Sequence, residues 1–234
     1  YQMPVCKRGI GHHRQSPIDI KTSTVISDPA KCSSIVIRFD HGDCVEVTVD
    51  EKGCWRVTAR HHSTSMIRAS HLPGTYRLLQ FHAHWGGSEH TLDGKRFDAE
   101  IHFVYWNTHY FIPEEACTKS DGLAVLAILV EKGAANQEFD KLLDLIEESS
   151  ISEKAVKIPV TFDPMRLVPR SGLSHYFTYL GGLTTPPFSE CVVWTVMQTP
   201  ITFSEEQLKA LSTLTDENCR KPQKLHERKV YSTK

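Results

Sequence analysis

Alternation of apolar and polar residues with a period of two dominates the chain. Because successive side chains of a β-strand point to opposite faces, such alternation predicts half-buried strands. The strands are predicted at Ser34–Phe39, Cys44–Val49, Trp55–Ala59, Leu79–Trp85, Ala99–Trp106, 122–130 and Cys191–Met197. The pattern therefore predicts a mainly β protein.

Helical spacing is confined to a few places. Between Glu138 and Glu148 an apolar stripe repeats every three or four residues, formed by Phe139, Leu142, Leu143, Leu145 and Ile146. A second helix is predicted after Ser204, because its hydroxyl and the side chain of Gln207 can form a capping box. We expect these helices to pack on the periphery of the sheet.

Composition narrows the function classes. The chain has 234 residues and a formal net charge of -1, so no basic surface indicates a nucleic-acid partner. The longest apolar run, 122–130, is far shorter than the roughly 20 residues of a membrane helix. We predict one domain over residues 1–234 without a membrane segment. The oligomeric state stays open, and an extracellular location is slightly favoured over a cytoplasmic one.

Seven cysteines show no C-x-x-C pair, which disfavours a zinc ribbon and a dithiol redox motif. The odd number leaves at least one thiol free. Cys44 and Cys54 flank a predicted hairpin turn at 50–53, but they would not lie opposite each other, so we predict no disulfide between them.

Three histidines indicate a metal site. His82 and His84 alternate on one predicted strand and so point to the same face, and His102 lies on another. A lone His-x-His pair is more often a packing or surface feature. Here Gln80 and Glu100 each lie two residues from a histidine on the same face, where they can fix an imidazole. Three nitrogen ligands leave a fourth tetrahedral position open, which is typical of catalytic zinc.

Further segments connect this pattern to a known family. They are Gln15–Asp19, Gly74–Gly86, Gly87–His90, Ala99–His102 with Trp106-Asn107, Asp121–Val125 and Leu183–Pro187. Their order and spread over the chain resemble the α-class carbonic anhydrases. The resemblance implies a large, central, mostly antiparallel twisted sheet with a few peripheral helices. It also implies cis peptide bonds at Ser16-Pro17 and Pro186-Pro187.

The resemblance further implies a reaction. His82, His84 and His102 would bind Zn²⁺, and zinc-bound hydroxide would convert carbon dioxide to bicarbonate and a proton. Thr184 would accept a hydrogen bond from that hydroxide while donating its own proton to Glu89. Thr185 would place bicarbonate. Carbon dioxide would meet an apolar wall of Val104, Val125, Leu183, Val192 and Trp194, although each taken singly is equally compatible with an ordinary core position.

The resemblance extends to inhibitors and supports. Sulfonamides and anions would inhibit the enzyme, and Asn218 and Arg220 would brace the site from the C-terminal segment.

Fast members of the family carry a histidine proton shuttle after an Asn-Gly pair. Alignment on Gly42 and the strand Val45–Val49 puts Asp43 at this position, and a carboxylate is poorly matched to proton exchange near pH 7. We therefore predict that proton export limits turnover.

Two other interpretations remain open. A carbonic-anhydrase-like binding or matrix protein would keep the fold and do little catalysis, but such relatives usually lose a zinc histidine. A metal-binding or buffering protein would use the pairs His12-His13 and His61-His62, which are more simply solvated surface pairs. The amount of bound metal would distinguish the metal-binding interpretation, because such a protein would bind several equivalents of metal per chain rather than one.

Overall fold

The computed structural model describes residues 13–33 and 35–233; the predictions concerning His12 and Ser34 lie outside these ranges. The described part forms three α-helices, α1 Pro113–Ala116, α2 Gln137–Ser152 and α3 Glu205–Ser212. Its strands are β1 Asp19–Ile20, β2 Ile26–Ser27, β3 Ile35–Arg38, β4 Cys44–Val49, β5 Trp55–Ala59, β6 Met66–Ala69, β7 Tyr76–Trp85, β8 Thr91–Leu92, β9 Lys95–Arg96, β10 Ala99–Asn107, β11 Leu123–Lys132, β12 Val156–Lys157, β13 Tyr176–Gly181, β14 Val192–Met197, β15 Ile201–Phe203 and β16 Tyr231–Ser232.

Thirteen strands form one sheet with the path β12-β4-β5-β7-β10-β11-β14-β13-β16-β2. Strands β3, β6 and β15 attach beside this path, and β1, β8 and β9 form a small separate sheet. Within the described large sheet, parallel pairing is confined to β11 with β14, β11 with β15, and β16 with β2. The predicted mainly β, mostly antiparallel fold with few helices is confirmed.

Both faces of the central strands are buried. Along β10 and β11, Phe103 and Leu126 belong to one apolar cluster, which α2 covers through residues such as Phe139. The alternate residues Val104 and Val125 belong to a second cluster on the opposite face. A strand that is covered on both sides needs apolar residues at every position, which explains the continuous apolar run of β11.

A β-bulge interrupts the alternation of β7. Val104 of β10 lies opposite Gln80, and the next residue, Tyr105, lies opposite Leu78, so Leu79 is an extra residue. Since a bulge puts two residues of one strand opposite one of its partner, it changes which side chains share a face. Arg77, opposite Trp106, therefore lies on the same face of the sheet as Gln80.

All seven predicted strands are present, with ends that move by a few residues. Both predicted helices are present, and the capping box of Ser204 and Gln207 is confirmed. Both cis peptide bonds are found where the resemblance implied them. Cys44 and Cys54 form no disulfide with each other, as predicted, and both are free. No helix of the described ranges has the length and apolarity to cross a membrane.

Candidate metal centre

The pairing of β7 with β10 brings the three predicted histidines together. His102 lies directly opposite His82 in this pair, and His84 is two residues further along the same face. The ring centroids are 5.0 Å apart for His82 and His84, 5.4 Å for His82 and His102, and 4.7 Å for His84 and His102. One ligand atom from each lies within 4.8 Å of the others, so one ion can reach all three.

Each imidazole is held through its other nitrogen. His82 Nδ1 lies 2.9 Å from Gln80 Oε1, and His102 Nε2 lies 2.7 Å from Glu100 Oε1. His84 Nδ1 lies 3.0 Å from the carbonyl oxygen of Asn218. A nitrogen that donates to such an acceptor leaves its ring partner deprotonated and available as a ligand. The three remaining nitrogens are Nε2 of His82, Nε2 of His84 and Nδ1 of His102.

The chemistry of these groups fits a zinc ion. His84 Nε2 is buried and has no hydrogen-bond partner, which is costly unless something binds it. Burial lowers the pKa of His82 well below its ordinary value, and the neighbouring histidines lower it further. Burial likewise lowers the pKa of His102, although Glu100 opposes the shift. Neutral imidazole is the form that binds a metal.

A buried polar chain supports the third histidine. Glu100 accepts hydrogen bonds from His90, at 2.7 Å from the backbone nitrogen and 2.6 Å from Nδ1. His90 Nε2 lies 2.7 Å from the Tyr179 hydroxyl, which lies 2.9 Å from Ser16 Oγ. Burial alone raises the pKa of Glu100, but His90 and His102 outweigh it and hold that pKa well below the ordinary value. The carboxylate is therefore ionised, and its position orients His102.

The sequence pattern predicts no role for His90, Tyr179 or Ser16. The only signal was the position of His90 and Ser16 inside family-like segments. His90, Glu100 and His102 could also be taken as a metal cluster by proximity. Their short hydrogen bonds occupy the facing atoms with protons, so this group is better explained as a support for the metal centre.

The C-terminal segment contacts the strands that carry the histidines. Asn218 accepts from the Trp85 backbone nitrogen through Oδ1 at 2.9 Å, in addition to its carbonyl contact with His84. Arg220 donates its backbone nitrogen to Glu89 Oε1 at 2.8 Å, and its guanidinium donates to the carbonyl oxygen of Ser16 at 2.7 Å. Residues distant in sequence are thus fixed against the histidine strands.

Glu89 and Thr184 are both buried. Glu89 Oε2 lies 3.5 Å from His84 Nε2 and has no hydrogen-bond partner in the described part of the molecule. The hydrogen bond implied from the Thr184 hydroxyl to this carboxylate is therefore not formed at Oε2. Thr185, the next residue, is exposed.

The residues of the implied apolar wall do meet. Val104, Val125, Leu183, Val192 and Trp194 all belong to the apolar cluster on the histidine side of the sheet. The Trp194 ring lies 4.9 Å from the His102 ring, centroid to centroid. The wall and the candidate ligands therefore share one face.

Asp43 does not lie at the rim, so its predicted place is wrong. It is 1% exposed, and its Oδ2 accepts from Ser63 Oγ at 2.8 Å, Thr64 N at 2.8 Å, and Ser65 N and Oγ at 2.7 Å. The Arg60 guanidinium contacts Oδ1 without hydrogen-bond alignment. Burial raises the pKa of Asp43, but the hydrogen bonds from Ser65, Ser63 and Thr64 outweigh it and lower the pKa. Asp43 is a structural anion.

The error has a topological cause. The alignment used Gly42 and β4, but β4 does not pair with β7; β5 does, with Arg56 opposite His82 and Thr58 opposite Gln80. The turn glycine before β5 is Gly53, which has a positive φ of 78°. Cys54 follows this glycine and lies two residues before Arg56, so both side chains point to the same face. Its Sγ lies 3.7 Å from Asn218 Nδ2.

Comparison with known proteins agrees with this geometry. A family model described as eukaryotic-type carbonic anhydrase matches residues 2–234. The chain is 39% identical over 206 residues to human "Carbonic anhydrase 3", covering 86% of this chain and 77% of that protein. It is 38% identical over 206 residues to mouse "Carbonic anhydrase 1", covering 85% of this chain and 77% of that protein. The chain belongs to the eukaryotic-type carbonic anhydrase family.

Proposed function

We propose that this chain binds one zinc ion through His82, His84 and His102 and catalyses the reversible hydration of carbon dioxide. The observation that carries the proposal is the orientation of the three imidazoles. Each has one nitrogen held by an acceptor, and the other three nitrogens converge, one of them buried without a partner. This is the ligand set of a catalytic rather than a structural zinc site.

A zinc ion in such a site lowers the pKa of a coordinated water to near 7 and so supplies hydroxide as a nucleophile at neutral pH, carbonic anhydrase itself being the system in which that value is established. The chain's own part is orientation. Glu89 is fixed by Arg220 through Oε1, and its Oε2 remains free to accept from Thr184. A hydroxyl that donates to a carboxylate can only accept from the nucleophile, which aims a lone pair at the substrate.

The substrate is small and apolar, and its product is an anion. The wall of Val104, Val125, Leu183, Val192 and Trp194 would hold carbon dioxide by burial rather than by hydrogen bonds. Exposed Thr185 would contact bicarbonate as it leaves. Aromatic sulfonamides and small anions would compete for the same position on the metal.

We further propose that proton export is slow. The position after the turn glycine of the strand beside β7 is Cys54, a thiol rather than an imidazole. The exposed pair His61 and His62 lines the cavity beside Gln80, so these are the imidazoles to test as an alternative exit. They follow the end of β5, five and six residues after Arg56.

Stopped-flow carbon dioxide hydration with parallel metal analysis tests the function. We expect one zinc per chain and a turnover that an aromatic sulfonamide abolishes. Thr184→Val, which removes the orienting hydroxyl, is expected to lower kcat/KM by about a hundredfold while one zinc stays bound. Thr118→Val, at an exposed position, is the matched control. Undetectable hydration with one bound zinc would favour a binding protein, and several bound zinc ions a metal-buffering protein.

The same assay tests proton export. Added imidazole buffer is expected to raise kcat and to leave kcat/KM unchanged, because buffer replaces a missing shuttle. A turnover that imidazole does not change would contradict slow export. If His61→Gln and His62→Gln then lower kcat, that pair carries the proton.

A further inference from the structure

A cavity of about 340 Å³ lies over β13, β14 and β16, away from the candidate metal centre. Its apolar floor is formed by Leu180 and Val193, which lie directly opposite each other in the pair of β13 and β14. Val193 belongs to the same apolar cluster as Phe103, which alternates with His102 along β10. The cavity therefore opens on the face of the sheet that does not carry the histidines. Its volume accommodates a small organic molecule.

Positive charge surrounds this cavity. Arg14, Lys31, Arg228 and Lys229 line it, and no carboxylate of the described residues does. Arg14 is paired with Glu190, with 3.9 Å between Nε and Oε2. Within residues 13–33 and 35–233, the other three cations form no ion pair. A cleft lined by one sign of charge attracts the opposite sign, and three cations without a counter-ion favour a ligand with more than one negative charge.

The Arg228 guanidinium supplies charge more than free donors. Its Nε, Nη1 and Nη2 donate to the carbonyl oxygens of Leu225, Leu180 and Lys224, at 2.9, 3.1 and 2.8 Å. These carbonyl oxygens satisfy N–H groups but carry no net charge. The charge of Arg228 therefore remains uncompensated, while its planar fork of donors is already engaged.

The free donors of the cavity come from its two lysines. Lys31 is exposed, and its Nζ lies 3.5 Å from the centroid of the Tyr231 ring, a cation–π contact that holds the ammonium at the cavity. Lys229 is exposed as well. An ammonium is a compact point charge with three donors, which suits a phosphate group, whereas a flat carboxylate is matched best by a free guanidinium fork.

We propose that this cavity binds a phosphate monoester with a small apolar body. The phosphate dianion lies between Lys31 and Lys229, close to the charge of Arg228. The apolar body covers Leu180, which is 47% exposed. The bound ester does not contact the metal centre, so its binding does not depend on the hydration reaction.

Isothermal titration of the zinc-loaded protein with phenyl phosphate tests the site, at about pH 7.5 so that the ester is a dianion. We expect one molecule to bind per chain. Benzyl alcohol, which keeps the ring without the charge, is expected to bind at least about tenfold more weakly, because the charge-assisted hydrogen bonds are lost. Inorganic phosphate, which keeps the charge without the ring, is expected to bind at least about threefold more weakly, because no apolar surface is buried.

Two variants and removal of the metal locate the ligand. Lys31→Gln is expected to weaken phenyl phosphate binding by about three- to tenfold. Lys157→Gln, which changes an exposed lysine of β12 at the other end of the sheet, loses the same charge and is the matched control. Leu180→Asn is expected to weaken the binding of phenyl phosphate and to leave that of inorganic phosphate within about twofold. Removal of zinc, followed by dialysis of the chelator, should leave the affinity for phenyl phosphate within about threefold.

Three results would overturn the proposal. Equal affinities for phenyl phosphate and inorganic phosphate would identify free phosphate rather than an ester as the ligand. An equal effect of Lys31→Gln and Lys157→Gln would place the ligand outside this cavity. Loss of phenyl phosphate binding on removal of zinc would place it at the metal centre.

Discussion

The partly buried side chain of His71 makes the stability of the fold depend on pH. Its Nδ1 lies 3.1 Å from the Tyr176 hydroxyl and its Nε2 lies 2.8 Å from Thr195 Oγ1. Burial lowers the pKa of His71 to about 4, with a smaller contribution from Lys31. In the unfolded chain the imidazole of His71 is protonated near pH 6.5, whereas in the folded protein it is protonated only near pH 4. The stabilisation is therefore complete above about pH 6.5 and is lost as the pH falls towards 4.

We expect His71→Gln to reduce this loss. Glutamine can donate and accept as a neutral imidazole does, but it does not titrate in this range. Between pH 6.5 and 4, the free energy of unfolding should fall by about 3 kcal/mol less in the variant than in the unaltered protein. Urea denaturation at a series of pH values measures the difference. The control is His41→Gln, at an exposed position; parallel curves for His71→Gln and the unaltered protein would contradict the expectation.

Residue roles were predictable where they follow from alternation along one strand. His82 and His84 share a face because strands alternate, and Gln80 joins them for the same reason. Arg56 could not be found in this way, because its position opposite His82 depends on which strand pairs with β7. His90 could not be found either, because its partners Tyr179 and Ser16 come from distant segments.

At the scale of elements, the hairpin of β4 and β5 separates Asp43 from Cys54, the two candidate positions for a proton shuttle. Asp43 precedes β4 and is buried among hydrogen-bond donors, whereas Cys54 directly precedes β5 and contacts Asn218. Replacing a buried, paired carboxylate leaves its partner cation and donors unsatisfied. A histidine should therefore destabilise the fold at Asp43 and support proton export at Cys54.

We expect Asp43→His to lower the free energy of unfolding by about 3–5 kcal/mol without raising turnover. Cys54→His is expected to cost no more than about 1 kcal/mol and to raise kcat severalfold in weak buffer. Thermal denaturation and stopped-flow hydration measure the two effects. Cys54→Gln, similar in size and without a titratable group, controls for packing. A stable Asp43→His variant with higher turnover would show that Asp43, and not Cys54, occupies the position of the proton shuttle.

Elements were predictable in proportion to their length. Period-two alternation found seven strands of four to ten residues, and helical spacing found α2 and α3. Strands of two residues, such as β1 and β16, carry too few positions for any period to appear. The six-residue β13 was not predicted, because five of its six residues are buried and no alternation is present. The bulge at Leu79 also has no signature in sequence.

At the scale of the whole molecule, the metal centre joins parts that are far apart in sequence. Its three histidines belong to β7 and β10 in the middle of the sheet, and Asn218 ties the C-terminal segment to them. A ligand that binds only the folded state stabilises it by mass action. Bound zinc should therefore support the whole fold and not the site alone.

We expect a chelator to lower the Tm, and restored zinc to return it. At free zinc a thousandfold above its Kd, the stabilisation amounts to about 4 kcal/mol. Scanning calorimetry at graded free zinc measures this. His102→Ala should lose the response, whereas His109→Ala, at an exposed position, should keep it. A Tm that does not respond to zinc, or a His102→Ala variant that still responds, would contradict the ligand assignment.

The extra residue at Leu79 has an evolutionary consequence. It lies between the part of β7 that carries the metal ligands and the part that carries Arg77. Insertion or deletion of one residue at this point would exchange the side chains that the outer part presents to the cavity beside Gln80, while the histidines kept their face. The geometry of the candidate ligands and the facing of the outer part of β7 can therefore change independently of each other.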